Sequence, residues 1–335
     1  MFERLDRQRI QLELLVLGQR TPESAAFENA GIELLHLDQK RDLLAAVRSA
    51  AADQLFLSGP KSQILGSLIA RRLGVLASHY FNHMMPVSRI GVWTYIAQRA
   101  AIRRNDSAVA VSATIKQWLS KQYGLRAARI DVIYPSVDMD RFANAVAADT
   151  DGSPVIALIG RVAFDEKGQH LMVQAMPTIL SHHPGAVLNV IGDGRDLQEL
   201  RNLVARAGLD QSIRLLGQRL DVPAQIKAAD LVVVPSTTRE GFPLVSLEAA
   251  AAGRPCVAFA SGGLIESVQN GKTGIIVPPG AVQAFAEATL SLLEDTDHAR
   301  AMGEAGQRFA AAFTIERQVE ALTTHFERIH ADQVT

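Results

Sequence analysis

Residues 231–255 read Leu231-Val232-Val233-Val234-Pro235-Ser236-Thr237-Thr238-Arg239-Glu240-Gly241-Phe242-Pro243-Leu244-Val245-Ser246-Leu247-Glu248-Ala249-Ala250-Ala251-Ala252-Gly253-Arg254-Pro255. The first four are uninterrupted apolar residues, the pattern of a strand covered by helices on both faces. Pro235 to Thr238 carry the chain out through a turn. Pro243 then opens a helix, because the first helical position has no use for the N–H that proline lacks. Strand, turn and helix in this order form one βα unit of a parallel sheet.

The same unit recurs in both directions. Apolar runs at 12–17, 32–37, 54–57, 75–77, 108–111 and 130–133 read as strands, with helical spacing at 43–51, 62–73, 90–103 and 114–123 between them. A polar, turn-rich stretch at 147–154 reads as a linker. Strand patterns resume at 155–159, 187–191, 213–216, 231–234, 256–259 and 274–277, and helices at 281–293, 298–312 and 315–329 close the chain. The expected class is α/β: two Rossmann-like, doubly wound domains facing across a cleft, spanning 1–147 and 148–315. The helix of 316–335 is expected to pack back toward the first domain. Ligands in such sheets sit beyond the carboxyl ends of the strands, so the active site is expected between the domains.

Composition narrows the function classes. The 335 residues carry 34 Lys+Arg against 35 Asp+Glu, a net charge of −1, and 48% are hydrophobic, which excludes disorder and argues against a nucleic-acid partner. Cys256 is the one cysteine, so neither an internal disulfide nor a cysteine metal cluster is available, and a cytoplasmic location is expected. The uncharged stretch 168–192 is interrupted by Pro177, His182, His183, Pro184 and Gly185, and reads as helix, turn and strand rather than a membrane span.

Three motifs fail on inspection. Gly192-Asp193-Gly194 has Leu197 where a dinucleotide fingerprint needs its third glycine. Gly271-Lys272-Thr273 lacks the earlier glycine of a phosphate loop and reads as a turn. His79 and His83 have Tyr80 where a zinc protease has glutamate, and no metal site is implied.

The segment at 239–255 holds. The N–H groups of Leu244 and Val245, at a helix N-terminus, suit a phosphate, and Glu248 within the first two turns can accept bonds from neighbouring sugar hydroxyls. The eight residues of helix from Glu240 to Glu248 rise about 12 Å. That exceeds the roughly 5–9.5 Å of paired glycosidase carboxylates. The two glutamates then grip opposite ends of one long ligand, or are acidic residues favoured by the helix dipole. Arg161 and Lys167, at the carboxyl end of the strand 155–159, supply the fixed cations that a diphosphate leaving group needs, or are surface charges partnered by Asp165 and Glu166.

Gly160-Arg161 with Lys167-Gly168, Gly192-Asp193-Gly194, Leu216-Gly217, residues 230–236, the Glu240/Glu248 pair, Gly262-Gly263 and residues 274–279 together resemble a retaining GT-B glycosyltransferase of family 4. The likeness covers the second domain almost entirely. It reaches the first more loosely, through 106–112 and 132–138, ending at Arg141-Phe142, with Pro135-Ser136 in place of the family's Asn-Gly. The resemblance implies a metal-independent hexosyltransferase with no cofactor, a nucleotide diphosphate sugar serving as co-substrate. The acceptor it implies is a glycan or lipid-linked hydroxyl in bacterial surface polysaccharide synthesis, reached by peripheral contact at the inner membrane face.

It assigns Arg161 and Lys167, with Gly160, to the donor diphosphate, and Glu240 with the backbone of Gly241 and Phe242 to the transferred sugar and its phosphate. Glu248 falls to the ribose, and Gly217 and Arg219 lie near the base. His79 is the first domain's histidine toward the donor sugar, with His83 as the competing assignment. Relative to the family, the first strand and Gly-rich loop are expected to be absent ahead of 12–17, depriving two strands of a common neighbour. A non-catalytic sugar-nucleotide-binding protein and a GT-B epimerase are the rival readings.

Overall fold

A computed structural model describes residues 9–10, 14–17, 34–37, 42–82, 91–103, 106–148 and 152–334. The chain forms two compact units, Met1–Tyr134 with Ile315–Thr335, and Pro135–Thr314. The division falls ahead of the expected boundary at 147. Val137 N donates to Phe313 O at 2.9 Å and Ala148 N to Ala224 O at 3.1 Å, which fastens residues 137–148 to the second unit. The polar stretch that reads as a linker lies beyond this attachment, not at it.

In the first unit, β1 (Leu14–Leu17) and β2 (Leu34–Leu37) form a parallel pair. A separate parallel sheet has the order β3-β4-β5-β6, from β3 (Gln54–Ser58), β4 (Leu76–Phe81), β5 (Ser107–Ala110) and β6 (Ile130–Val132). Among the described residues no ladder joins β1–β2 to β3–β6. The helix Ile315–Val334 lays Leu322, Phe326 and Ile329 against Val109 and Ile133. Its His325 ring joins Ser78 Oγ (2.7 Å) and Asp131 Oδ2 (2.5 Å), and Arg328 donates to the same carboxylate oxygen at 2.6 Å. One turn of this helix thereby pairs the buried Ser78 of β4 and the half-buried Asp131 of β6, polar groups that apolar packing alone would leave unsatisfied.

The second unit is one six-stranded parallel sheet. Its strands are β7 (Val155–Ile159), β8 (Val187–Ile191), β9 (Ile213–Gly217), β10 (Leu231–Val234), β11 (Cys256–Phe259) and β12 (Gly274–Val277). The order β12-β11-β10-β7-β8-β9 means that the chain winds outward from β7 to β9, crosses back to β10 beside β7, and winds outward the other way. The sheet core includes Ile156, Leu188, Val233, Val257 and Phe259, with Phe259 edge-on to Phe285 at 4.8 Å. Burying each such side chain contributes about 1.5–3 kcal/mol. Pro177 sits inside the helix Gln169–His182 without ending it. The chain reverses its winding between the adjacent strands β7 and β10, the switch point at which doubly wound sheets bind ligands.

Candidate active site

Gly160 follows β7 with φ +145°, in a backbone region that side chains rarely enter. Its N–H donates to Ile191 O and that of Val162 to Asp193 O, both at 2.9 Å, so the loops after β7 and β8 run in contact. A Cβ at Gly192 would stand 2.0 Å from Gly160 O, and one at Gly194 2.2 Å from Val162 O. The glycines that fail as a dinucleotide fingerprint are there because two backbones touch. Gly192 N donates to Gly217 O at 2.8 Å, which adds the end of β9 to the same edge, and Gly217 has φ +65°. The buried Gln169 braces the first loop, donating to Arg161 O at 2.9 Å and accepting from Ala163 N at 3.3 Å.

Lys167 ends the single helical turn Phe164–Lys167, and Gly168 (φ +67°) then reverses direction so tightly that a Cβ would meet Pro235 O at 2.0 Å. This contact brings Lys167 to the loop after β10. Its ammonium donates to Glu240 Oε1 at 2.5 Å, and the Ser236 hydroxyl donates to the same oxygen at 2.8 Å. The Lys167 and Glu240 side chains retain 27% and 17% exposure, so the pair is partly desolvated and still reachable. The loop after β11 backs it. Gly263 N donates to Glu240 O at 2.8 Å, and Cβ atoms at Gly262 and Gly263 would stand 2.1 and 1.9 Å from Glu240 O and Gly241 O.

Arg161 is exposed and pairs with Glu166, whereas Asp165 pairs with Arg195. Of the two carboxylates considered as plain surface partners, one does hold Arg161 and neither holds Lys167. Arg219 grips Asp221 with two bonds, Nε to Oδ1 at 2.8 Å and Nη2 to Oδ2 at 2.7 Å, on the surface just past β9. This pairing holds the Asp221 carboxyl well below its ordinary range.

The helix after β10 is Leu244–Ala251, with Pro243 at its N-cap. Glu240 therefore lies in the preceding loop, and the 12 Å helical separation from Glu248 does not apply. No side chain caps this helix: the Ser246 hydroxyl turns to Pro243 O at 2.8 Å. Gly241 and Phe242 are buried, Phe242 packing its ring 5.6 Å from Phe313, while Leu244 is exposed. Glu248 is half-buried; burial pushes its carboxyl above the ordinary range, and Arg141, on the short helix Met139–Ala143, pulls it back. Lys227 Nζ holds that short helix in place by donating to Ala143 O at 3.2 Å and Ala252 O at 3.3 Å.

His79 requires a correction. Strand β4 continues to Phe81, so His79 sits inside the strand, with no exposed surface, rather than at its carboxyl end. Its Nε2 lies 3.3 Å from Oδ2 of Asp106, the residue before β5, and its ring is thereby turned to the amino end of the sheet. A fully covered ring held there is not presented to a ligand at the carboxyl edge. His83 lies outside the described residues. Gly271-Lys272-Thr273 is a turn: Gly271 has φ +72°, and Lys272 N donates to Gln269 O at 2.9 Å.

Sequence reasoning missed the partners. Ser236, Arg141, Gln169 and Arg195 stand beside the expected residues with no spacing signature of their own. The strand-end glycine pairs at 192/194 and 262/263 were the available signal, since glycine where backbones touch marks a packed loop cluster.

The family of glycosyl transferases group 1 matches residues 153–295, and glycosyltransferase family 4 matches residues 2–141. A GDP-mannose-dependent alpha-(1-6)-phosphatidylinositol monomannoside mannosyltransferase of Mycobacterium tuberculosis is 32% identical over 283 residues, covering 78% of this chain and 70% of that protein. A D-inositol 3-phosphate glycosyltransferase of Nocardia farcinica is 34% identical over 253 residues, covering 71% and 54%. Among solved structures, Anabaena Alr3699/HepE in complex with UDP superposes with a TM-score of 0.83 at 21% identity, over 94% of this chain and 92% of that one. A glycosyltransferase from Rickettsia africae ESF-5 follows at a TM-score of 0.78 and 18% identity, over 96% and 90%.

Proposed function

The chain belongs to the group 1 glycosyl transferases of glycosyltransferase family 4, which move a sugar from a nucleotide sugar, and from that premise we propose a retaining, metal-independent hexosyltransferase with its donor site at the β7/β10 switch point. The observation that carries this reading is the Lys167–Glu240 pair, which joins the two loops of the switch point beside an uncapped helix start. A cation held by a carboxylate, with both partly exposed, is poised to meet a phosphate and a sugar together.

In this reading the donor diphosphate lies along Gly160, Arg161 and Lys167, near the N–H groups of Gly241, Phe242 and Leu244. Glu240 accepts from hydroxyls of the transferred sugar and Glu248 from those of the ribose, while Gly217 and Arg219 border the base. The bond from the anomeric carbon to the diphosphate breaks, and its electron pair goes to the phosphate oxygen. Arg161 and Lys167 stabilise that growing charge, the service a divalent cation performs elsewhere. The acceptor hydroxyl adds on the face the diphosphate leaves, and its proton passes to the departing phosphate oxygen, so no side-chain base is required. His79 acts as a buried strut in this scheme.

The acceptor is proposed to be a glycan or lipid-linked hydroxyl in surface polysaccharide synthesis. The relatives named as a phosphatidylinositol monomannoside mannosyltransferase and a D-inositol 3-phosphate glycosyltransferase support a hydroxyl-bearing acceptor of this kind. A panel of nucleotide diphosphate sugars with such acceptors tests the reading. Free nucleoside diphosphate with an elongated α-linked product is the expected outcome, and binding without turnover contradicts it. Arg161→Ala or Lys167→Ala leaving kcat/KM within a few-fold of the parent would overturn the site assignment.

A further inference from the structure

The turn Phe164–Lys167 places a carboxylate where the donor site has use for cations. Glu166 retains only 12% side-chain exposure and lies between two guanidiniums. Its Oε2 accepts from Arg161 Nη2, and its Oε1 stands 3.7 Å from Arg195 Nη1. Arg195 directly follows the glycine loop 192–194; it pairs with Asp165, and its Nε lies 3.7 Å from Asp196 Oδ2. The backbone around this group is pinned. Glu166 O accepts from Thr237 N at 3.0 Å, Phe164 N donates to Asp196 Oδ2 at 2.7 Å, and a Cβ at Gly194 would meet Val162 O at 2.2 Å. Rearrangement is thereby confined to side chains, and Arg161, with 63% of its side chain exposed, is the least confined of them.

An arginine binds a carboxylate and a phosphate through the same fork of N–H groups. A donor diphosphate reaching Arg161 therefore competes with Glu166 for that fork, and a carboxylate left beside the diphosphate repels it. Glu166 has a second cation within reach. A side-chain rotation that closes the 3.7 Å gap to Arg195 gives it a direct ion pair and clears Arg161. Glu240 stands differently toward its own cation. Its Oε1 is shared by Lys167 and Ser236, and the proposed reaction keeps it in place for the transferred sugar. Of the two carboxylates holding the diphosphate cations, Glu166 is thus the one that has to leave.

We infer that Glu166 is a built-in competitor that occupies Arg161 until the donor displaces it, and that Arg195 is the positioning residue that receives it. This rests on the assignment of the donor diphosphate to Arg161 and Lys167, and adds that donor affinity is set by a carboxylate exchange. The full chain is titrated calorimetrically with GDP and with UDP. Glu166→Gln, which keeps the shape and removes the charge, should tighten binding of whichever nucleotide the parent binds by about fivefold, the scale of a partly exposed ion pair. Arg195→Ala should weaken binding by a similar factor and Arg195→Lys should restore part of it. In the Glu166→Gln background Arg195→Ala should have no effect, the coupling expected of residues that act through one another. Glu166→Ala takes the place of the glutamine variant if that one does not fold. An equal loss on Arg195→Ala in both backgrounds overturns the inference, because Arg195 then acts without Glu166, and so does unchanged or weaker binding by the folded Glu166 variant. Lys167→Ala separates the two readings. Binding that is lost there but does not respond to Glu166→Gln overturns this inference alone. A parent that binds neither nucleotide, or binds regardless of Lys167, overturns the donor-site assignment and this inference with it.

Discussion

The Lys167 ammonium lies 2.5 Å from Oε1 of Glu240, a residue 73 positions away in the chain. The two side chains come from the loops after β7 and β10, the adjacent strands between which the chain reverses its winding. Lys167→Ala should lower kcat/KM by about 10²- to 10³-fold, the scale for losing one charge-stabilising donor. The melting temperature should move little, because a partly exposed pair contributes about 1 kcal/mol or less. Steady-state kinetics with the active donor and a thermal scan check both halves.

The glycine contacts behind Glu240 give a second prediction. Gly263→Ala would force a Cβ to within 1.9 Å of Gly241 O, and the loop carrying Glu240 has to move. An activity loss of about 100-fold is expected from displacement of the reacting groups by an ångström. Gly271→Ala is the control: its φ of +72° imposes strain but the space is open. It should cost about 1–2 kcal/mol of stability with kcat/KM nearly unchanged.

Burial raises the Glu248 carboxyl and Arg141 opposes the shift, which fixes the sign of a pH effect. A folded-state value above the unfolded one means that ionised Glu248 opposes folding. That cost is present above the folded value and disappears as pH falls through it. Glu248→Gln should accordingly stabilise the protein slightly at neutral pH while raising the donor KM. In the parent, kcat/KM should fall as acidification protonates Glu248. Arg141→Ala should move that inflection to higher pH, and Glu248→Gln should remove it; pH profiles of the donor kinetics decide.

Asp131 provides the opposite sign. Burial pushes its carboxyl up, but hydrogen bonds from His325 and Arg328 outweigh this and hold it at about 2. The stabilisation is complete above the unfolded value near 4, shrinks as pH falls below it, and is lost as pH falls through about 2. Allowing for a carboxylate about one-third exposed, it amounts to about 1 kcal/mol. Both tryptophans, Trp93 and Trp118, lie in the first unit, so urea unfolding followed by their fluorescence reads this unit. Asp131→Asn should be less stable at pH 7, and the difference from the parent should shrink steadily as pH is lowered from about 4 toward about 2.

Much of the fold was legible locally. The run 231–234 and the helix after Pro243 are encoded by neighbours, and the second unit's six strands follow the same rule. The misreadings occurred where distant chain segments intervene. Strand β4 extends to Phe81 because it pairs with β5 through Ala110, a partner that the short pattern at 75–77 does not reveal. Residues 137–148 belong to the second unit because hydrogen bonds to Phe313 and Ala224 hold them there, ahead of the polar stretch that looks like a boundary.

By itself the sequence determined the alternation of strands and helices, the two α/β units, and the residue types gathered at strand ends, because these follow from periodicity and turn chemistry within a few neighbours. Only the tertiary structure decided that Lys167 meets Glu240, that the charge of Arg141 opposes the burial of Glu248, that His79 turns toward Asp106, and that Trp93 is exposed. Such pairings depend on strand order, on how closely loop backbones approach, and on which helix face meets its neighbours. These are set by packing between segments dozens of residues apart, where no local pattern reaches.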